Sequence, residues 1–566
     1  MSELEQFLTL RDQLIANRTD LASAKAAFAW PKLTHFNWGI DYFDAIAKDN
    51  TAPALRILEE SGEEAGLTYS DLSQRSSQVA SFLTRLGAQP GDRMLLMLGN
   101  EVPLWETMLA AIKMGVVVIP ATTLLSGPDL ADRLARGQVR WLITSQSGMT
   151  KILDLDPQSL QGIGCILADK KATLPTGWID YFDSMTDATA FQPTPGLQVT
   201  DPLLEYFTSG TTAEPKLVRH TRQSYPVGHL STLYWLGLKP NDVHWTVSSP
   251  GWAKHAWSCF FAPFNAQACV FIYNYTRFNA PHILDILVDN KVTTLCAPPT
   301  VWRFLIQEDL AQWPISLREA ISAGEPLNPE IIEQVRAAWG LTIRDGYGQT
   351  ETTAMIGNPP GQPLKAGSMG RPMPGFPVAL LDADGKLAEE GEICIDLSRR
   401  PLALMDGYAD DAAKTETVMR DGYYHTGDIG MRDDEGYITY VGRADDVFKA
   451  SGYRISPFEL ESALIEHPSV AEAAVVPCPD KLRGFIPKAF LILAPGFSPN
   501  AETAAAIFAF LKQRVSPYKM VRRLEFADLP KTISGKIRRV DLRVQELKRS
   551  EGAAVGGTEY TDDTKS

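Results

Sequence analysis

What most constrains this chain is an alternation of two hydrophobic periods along its N-terminal part. Arg93–Leu98 (RMLLML) is a short apolar run that follows the turn residues Gln89-Pro90-Gly91-Asp92. Pro103–Met114 then takes helical spacing, with Trp105, Leu109 and Ile112 on one side, and Val116–Ile119 returns to a strand-like run. Strand, helix and strand in that order make a βαβ unit, because parallel neighbours need a long crossover and the helix supplies it. Short runs at Leu203–Phe207, Val243–Val247, Ala268–Tyr273, Val292–Ala297 and Glu319–Ser322 continue the pattern. The fold class is α/β, with parallel sheets covered by helices.

With 566 residues, the chain is too long for one core, since cores stop growing at about 250–300 residues. The pattern changes after about Arg400: Asp421–Gly442 is rich in Gly, Asp and Tyr and reads as turns and hairpins. Ser456-Pro457-Phe458-Glu459 then opens a helix. Serine can cap the free N–H groups, proline suits the first turn, and glutamate can reach back to the cap. The reading divides the chain into an N-terminal domain over 1–444, a small α+β C-terminal domain over 445–550, and a tail over 551–566. That tail has few apolar residues and is expected to be disordered.

The net charge of −14 argues against a nucleic-acid partner, because phosphate backbones call for a basic surface. A local basic pocket for a nucleotide stays open. The first thirty residues lack the layout of a signal peptide. No stretch reaches the roughly 18 apolar residues of a membrane span. The cysteines (Cys165, Cys259, Cys269, Cys296, Cys394 and Cys478) show no paired spacing and read as small buried hydrophobes. Together these fit a reducing, cytoplasmic setting.

Several short segments can carry chemistry. In Tyr206–His220 (YFTSGTTAEPKLVRH), a strand leads into Thr208, Ser209, Gly210, Thr211 and Thr212, with Lys216 just beyond. Small hydroxyl residues beside glycine let N–H and O–H groups converge on an anion, although the same cluster alone is equally an ordinary loop. It is not the Walker pattern. Asp345–Thr352 (DGYGQTET) holds Glu351, a hard-oxygen donor suited to phosphate-bound Mg²⁺. Upstream is Ser322–Leu327 (SAGEPL), where Gly324 permits close approach to a flat ring. Tyr424–Asp428 (YHTGD), Gly442–Arg454 (GRADDVFKASGYR) and Pro530–Arg539 (PKTISGKIRR) complete the series.

In this order the blocks resemble those of the adenylate-forming superfamily, from about Phe36 to Glu546. Ser451–His467, Arg483-Gly484 and Pro517-Tyr518-Lys519 are most similar to the medium-chain acyl-CoA synthetases. The resemblance implies a large N-terminal domain with a β-barrel-like subdomain and a small mobile C-terminal domain. It also implies an ATP-dependent acid–CoA ligase that forms an acyl-adenylate, releases pyrophosphate, and transfers the acyl group to coenzyme A. Thr208–Lys216 would embrace phosphates, with Thr212 and Glu351 at the Mg²⁺. Gly324, Glu325, Pro326, Asp345, Gly346, Tyr347, Gly348, Gln349 and Thr350 would form the adenine slot, Tyr347 stacking on the ring. Asp428 would accept from the ribose hydroxyls, with Arg443 beside it.

Lys536 would be the main catalytic residue of adenylation, assisted by Glu351 and Thr212. Its ammonium would offset the repulsion between a carboxylate and the α-phosphate. Asp445 would be the hinge on which the small domain turns. Ser451, Gly452, Tyr453 and Arg483 would bind CoA; Arg522 and Arg523 are weaker candidates for its phosphates. Trp252, Gly348, Thr350 and Arg454 would meet the acid. Gly348 stands where acetyl-CoA synthetases carry tryptophan, so the acid should be larger than acetate: short to medium chain, or aromatic. Ala213 departs from the family's usual glycine. An acyl-AMP ligase loading a carrier protein and a non-catalytic nucleotide- or acyl-binding protein are the alternatives. Homo-oligomers are compatible with the sequence.

Overall fold

The alternating runs pair as parallel strands. Arg93–Met97 lies between Val117–Pro120 and Trp141–Thr144, with Leu95 opposite both Ile119 and Leu142. The crossover helix Val102–Met114 ends at Gly115, whose φ of 82° stops it in the left-handed region. The sequence placed three of its residues on one face; the structure buries nearly all of it, including Glu106 and Lys113. Glu106 is paired with Arg75 and accepts from the Tyr181 hydroxyl at 2.8 Å, and Lys113 is paired with the Asp44 carboxylate at 2.7 Å. The computed structural model describes residues 1–186, 190–208, 215–324, 327, 329–450, 453–480, 483–531, 536–553 and 556–562, with Arg454 described by its backbone alone.

A larger sheet is parallel from Pro53–Glu59 through Cys269–Asn274, Val243–Thr246, Thr294–Ala297 and Glu319–Ala323 to Ile343–Gln349. Its central strands are buried along their whole length, as strands covered on both faces must be. Beyond Gln349 the direction changes. Thr353–Gly357 and Ser368–Pro372 pair antiparallel and lead into Ile438–Arg443, Tyr423–Arg432, Glu390–Asp396 and Val378–Leu381. The expected barrel-like part thus takes the form of an antiparallel arm hydrogen-bonded in one path with the parallel sheet. The motif residues gather where one regime gives way to the other.

The C-terminal domain is separate and has its own four-stranded sheet: Val470–Asp480, Gly484–Leu493, Arg523–Phe526 and Glu559–Thr561. Ile455, Leu460, Leu464, Val475, Leu491, Ile507 and Leu524 form its core. Helix Pro457–Ile465 begins as the sequence predicts, with Ser456 Oγ accepting from the Glu459 N–H at 3.1 Å. The reciprocal half of the cap is not made: the Glu459 carboxylate accepts from Lys519 Nζ at 2.7 Å instead.

Within 551–566, where composition predicts disorder, the described residues include a strand. Glu559–Thr561 pairs antiparallel with Arg523–Glu525. Its polar composition suggested a solvated tail, but Glu559 is needed inside: Lys488, fully buried, contacts Glu559 at 2.7 Å. All six cysteines are buried. No helix among the described residues is long and apolar enough to cross a membrane.

Candidate active site

Asp428 is the centre of the site. It lies on the strand Tyr423–Arg432, opposite Arg443 on the next strand, and is 5% exposed. Tyr347 Oη and Gln349 Nε2 each donate to its Oδ2 at 2.6 Å. Tyr440 Oη donates to Oδ1 at 3.2 Å, and an Arg443 guanidinium N–H reaches the same oxygen at 3.4 Å. Burial and the Asp428 charge keep both phenols protonated, so they stay donors. Tyr424 in turn donates to Gln349 Oε1 at 2.8 Å and fixes the amide's orientation. The carboxylate is therefore held by three neutral donors and one longer cationic contact.

A second constellation sits at the foot of the hairpin formed by Pro202–Thr208 and Lys216–Thr221. Thr208 pairs directly with Lys216 across it. Lys216 Nζ donates to Tyr408 Oη at 3.4 Å, and Tyr408 Oη donates to Glu351 Oε1 at 3.2 Å. Burial pulls the Lys216 pKa down, opposed by the Glu351 charge, while burial pushes the Glu351 carboxyl up. Ser209, Gly210, Thr211, Thr212 and Ala213 lie outside the described residues, as do Glu325 and Pro326. What remains is a lysine at the base of the loop facing a buried carboxylate through one shared hydroxyl. Such a carboxylate keeps lone pairs for a hard divalent cation, and its donor chemistry fits Mg²⁺.

The strand Ile343–Gln349 positions the intervening residues. Asp345 is half-buried and accepts from the Gly346 N–H at 2.8 Å; desolvation pushes its carboxyl up to about 7. Gly324 has φ +103° and nothing near its missing β-carbon, which suits a close approach to a planar group. Thr350 is held by its backbone: His220 Nε2 donates to its carbonyl at 2.8 Å and Tyr225 Oη at 3.0 Å. Burial lowers the His220 pKa to about 3. A carbonyl can only accept, so His220 carries its proton on Nε2.

The room expected over Gly348 is not bare. A β-carbon there would lie 1.9 Å from the Thr353 carbonyl oxygen and 3.0 Å from Trp257 Cη2. Thr353 itself has φ 64°, a strained conformation for a β-branched residue. Glycine is thus required by the backbone, and Trp257 supplies the wall. Trp252 precedes the short helix Ala253–Ala256, in which Lys254 Nζ donates to the Ala323 carbonyl at 3.0 Å.

The C-terminal candidates are spread over several elements. Arg443 also contacts Asp445 at 3.4 Å. Asp446, next in sequence, is bound by Arg543 and, at 3.5 Å, by Arg539. Lys536 is exposed, three residues before Arg539, which also grips Glu461. The exposed Tyr453 and Tyr518 rings lie 4.5 Å apart. Arg483 is exposed near Arg522, whose pKa is lowered by burial and by the Arg483 charge. Arg523 instead binds Glu559 at 3.2 Å, so the structure separates the two arginines. Ser451 and Gly452 lie outside the described residues, and Arg454 is placed by its backbone, opposite Lys449. Sequence reasoning missed Tyr408 and Tyr440 as functional neighbours. Tyr440 was findable, since it lies on the strand paired with that of Asp428.

These features define a nucleotide-handling α/β enzyme with a separate lysine-bearing domain, and comparison with known proteins agrees. The model of the AMP-binding enzyme family matches residues 43–409, and that of the AMP-binding enzyme C-terminal domain matches 459–536. The chain belongs to the AMP-binding enzyme family. It is 42% identical over 538 residues to 4-hydroxybutyrate–CoA ligase 1 of Metallosphaera sedula, covering 93% of this chain and 94% of the relative. It is 37% identical to the mitochondrial acyl-coenzyme A synthetase ACSM3 of Mus musculus, covering 94% of each. The crystal structure of a Brucella canis acyl-CoA synthetase superposes with a TM-score of 0.70 at 33% identity, covering 95% of this chain and 99% of that one. The anthranilate CoA ligase AuaEII, in complex with anthranoyl-AMP, gives a TM-score of 0.81 at 26% identity, covering 91% and 98%.

Proposed function

We infer that the protein is an ATP-dependent acid–CoA ligase acting on a short- to medium-chain or aromatic carboxylic acid larger than acetate. One observation carries the reading: Asp428, a buried carboxylate, is held mainly by neutral donors. Such donors can be exchanged for ribose hydroxyls without leaving a bare charge. The 4-hydroxybutyrate and anthranilate relatives support the substrate range.

In the first half-reaction a carboxylate oxygen of the acid attacks the α-phosphorus of ATP, and pyrophosphate leaves. Asp428 and Arg443 orient the ribose. Gly324, Asp345 and Tyr347 receive the adenine, and Lys216 with the loop before it meets the outer phosphates. Glu351, with Thr212, would hold Mg²⁺, which neutralises phosphate charge when bound. Lys536 lies between the two anions and offsets their repulsion as charge builds on the α-phosphate. In the second half-reaction the thiol sulfur of CoA attacks the carbonyl carbon, and AMP leaves.

We place the domain division at 444/445, with Asp445 as the hinge. Tyr453 with Ser451 and Gly452 lines the pantetheine path, and Arg483 beside Arg522 meets the CoA nucleotide. Trp252, Gly348, Thr350 and Arg454 surround the acyl group. Six buried cysteines suit a reducing cytoplasm.

The test is pyrophosphate release across acids from acetate to octanoate, with branched and aromatic members, with and without CoA. Sustained release with thioester formation only when CoA is present is expected. A single burst indifferent to CoA would transfer the reading to a carrier-protein ligase. Lys536→Ala should slow adenylation by about 10²–10³ while ATP still binds; unchanged turnover would remove Lys536 from the mechanism.

A further inference from the structure

Against Gly348 and Thr350 lies a box of buried aromatic rings. Tyr225, which donates to the Thr350 carbonyl, accepts from Trp257 Nε1 at 3.0 Å. Trp257 is the ring that reaches the β-carbon position of Gly348. His229 completes the box. Its ring stacks on Phe261 at 5.5 Å with planes 10° apart, meets Tyr225 edge-on at 4.6 Å, and lies 5.8 Å from Trp257. It is fully buried at the head of the helix Leu230–Leu236.

His229 Nδ1 meets Thr232 Oγ1 at 2.9 Å, whereas Nε2 is buried with no hydrogen-bond partner among the described residues. Burial drives the imidazole pKa well down, so the ring is neutral, with one N–H and one bare nitrogen. An unmet polar atom among hydrocarbon is costly, and phenylalanine would stack on Phe261 without that cost. A polar atom kept there calls for a partner that arrives later.

We propose that His229 is a specificity residue for the acyl chain, its Nε2 hydrogen-bonding a hydroxyl group on the acid, so that hydroxylated acids are preferred over plain ones of the same length. This rests on the acid–CoA ligase reading and on its placement of the acyl group beside Gly348 and Thr350. A hydroxyl both donates and accepts, so it satisfies Nε2 whichever way the Thr232 hydroxyl points. A charged tail does not suit the box, because surroundings that hold an imidazole neutral also disfavour a second carboxylate or an ammonium.

The experiment compares kcat/KM for matched acids: butyrate with 4-hydroxybutyrate, hexanoate with 6-hydroxyhexanoate, and benzoate with its hydroxy derivatives. The enzyme itself should favour at least one hydroxylated member by about tenfold or more, since a site built to bond a hydroxyl rejects the analogue lacking it. In His229→Phe, which keeps the ring stack, that ratio should fall to about one; in His229→Gln, which keeps a hydrogen-bonding group, part of it should return. A wild-type ratio near one in every pair, or a ratio unchanged in either variant, overturns the proposal. Absence of thioester with every acid tested would instead sink the ligase reading.

Discussion

Two buried groups of charges in this chain are built on opposite plans. In the N-terminal domain, Asp428 is held by Tyr347, Gln349 and Tyr440, with Arg443 farther away. In the C-terminal domain, Glu525, Glu546 and Glu559 surround Lys488 at 2.9, 2.7 and 2.7 Å, and Arg549 reaches the same three carboxylates. The second group is ion-paired within the protein and has no charge to offer a ligand. The first is satisfied by hydroxyl and amide groups, which release an anion to another donor at little cost. The charges around Lys488 are spent within the fold, whereas the neutral donors around Asp428 support the proposed ribose contact.

Four substitutions break or sharpen this contrast. Lys488→Met leaves three buried carboxylates short of a cation and should destabilise the C-terminal domain by about 3–5 kcal/mol. Denaturant unfolding should show it, with adenine-nucleotide binding by the N-terminal domain preserved. Asp428→Asn should do the reverse: KM for ATP should rise about 10- to 100-fold, the worth of hydrogen bonds to a charged group, with little change in melting temperature. If Asp428→Asn unfolds the protein and Lys488→Met does not, the contrast is wrong.

Tyr408→Phe removes the hydroxyl shared by Lys216 and Glu351 and should lower kcat/KM for ATP by about threefold to tenfold. The fourth concerns Asp345, whose carboxyl burial raises from 3.8 to about 7. A raised carboxyl binds its proton more tightly when folded. Its contribution to stability is therefore complete below about pH 4 and is lost as pH rises to about 7. Asp345→Asn should flatten that part of the stability–pH curve; an unaltered slope would mean that Asp345 is ionised throughout.

How far the sequence could be read follows the same division. Asp428, Glu351, Tyr347 and Arg443 sit in short motifs that only their order, through the family resemblance, marks out, and the fold brings Tyr347 and Arg443 to Asp428. Tyr408 lies in no motif and reaches Glu351 from 57 residues away, so only the fold reveals it. Gly348 was read as leaving room for the acid; in the structure the limit at that position is the Thr353 carbonyl, and the volume above it belongs partly to Trp257. The βαβ alternation was legible because apolar period is local. The last strand was not: it is apolar-poor, and its place depends on Lys488, an ordinary surface residue by composition.

That last strand also sets an order of manufacture. Glu559 emerges 71 residues after the lysine it neutralises, and Lys536 lies between them. A chain broken off between Arg549 and Glu559 therefore carries every motif of the enzyme, while Lys488 keeps Glu525 and Glu546 but lacks its third carboxylate. Such a chain is expected to have a less stable small domain than the full chain, which denaturant unfolding would show.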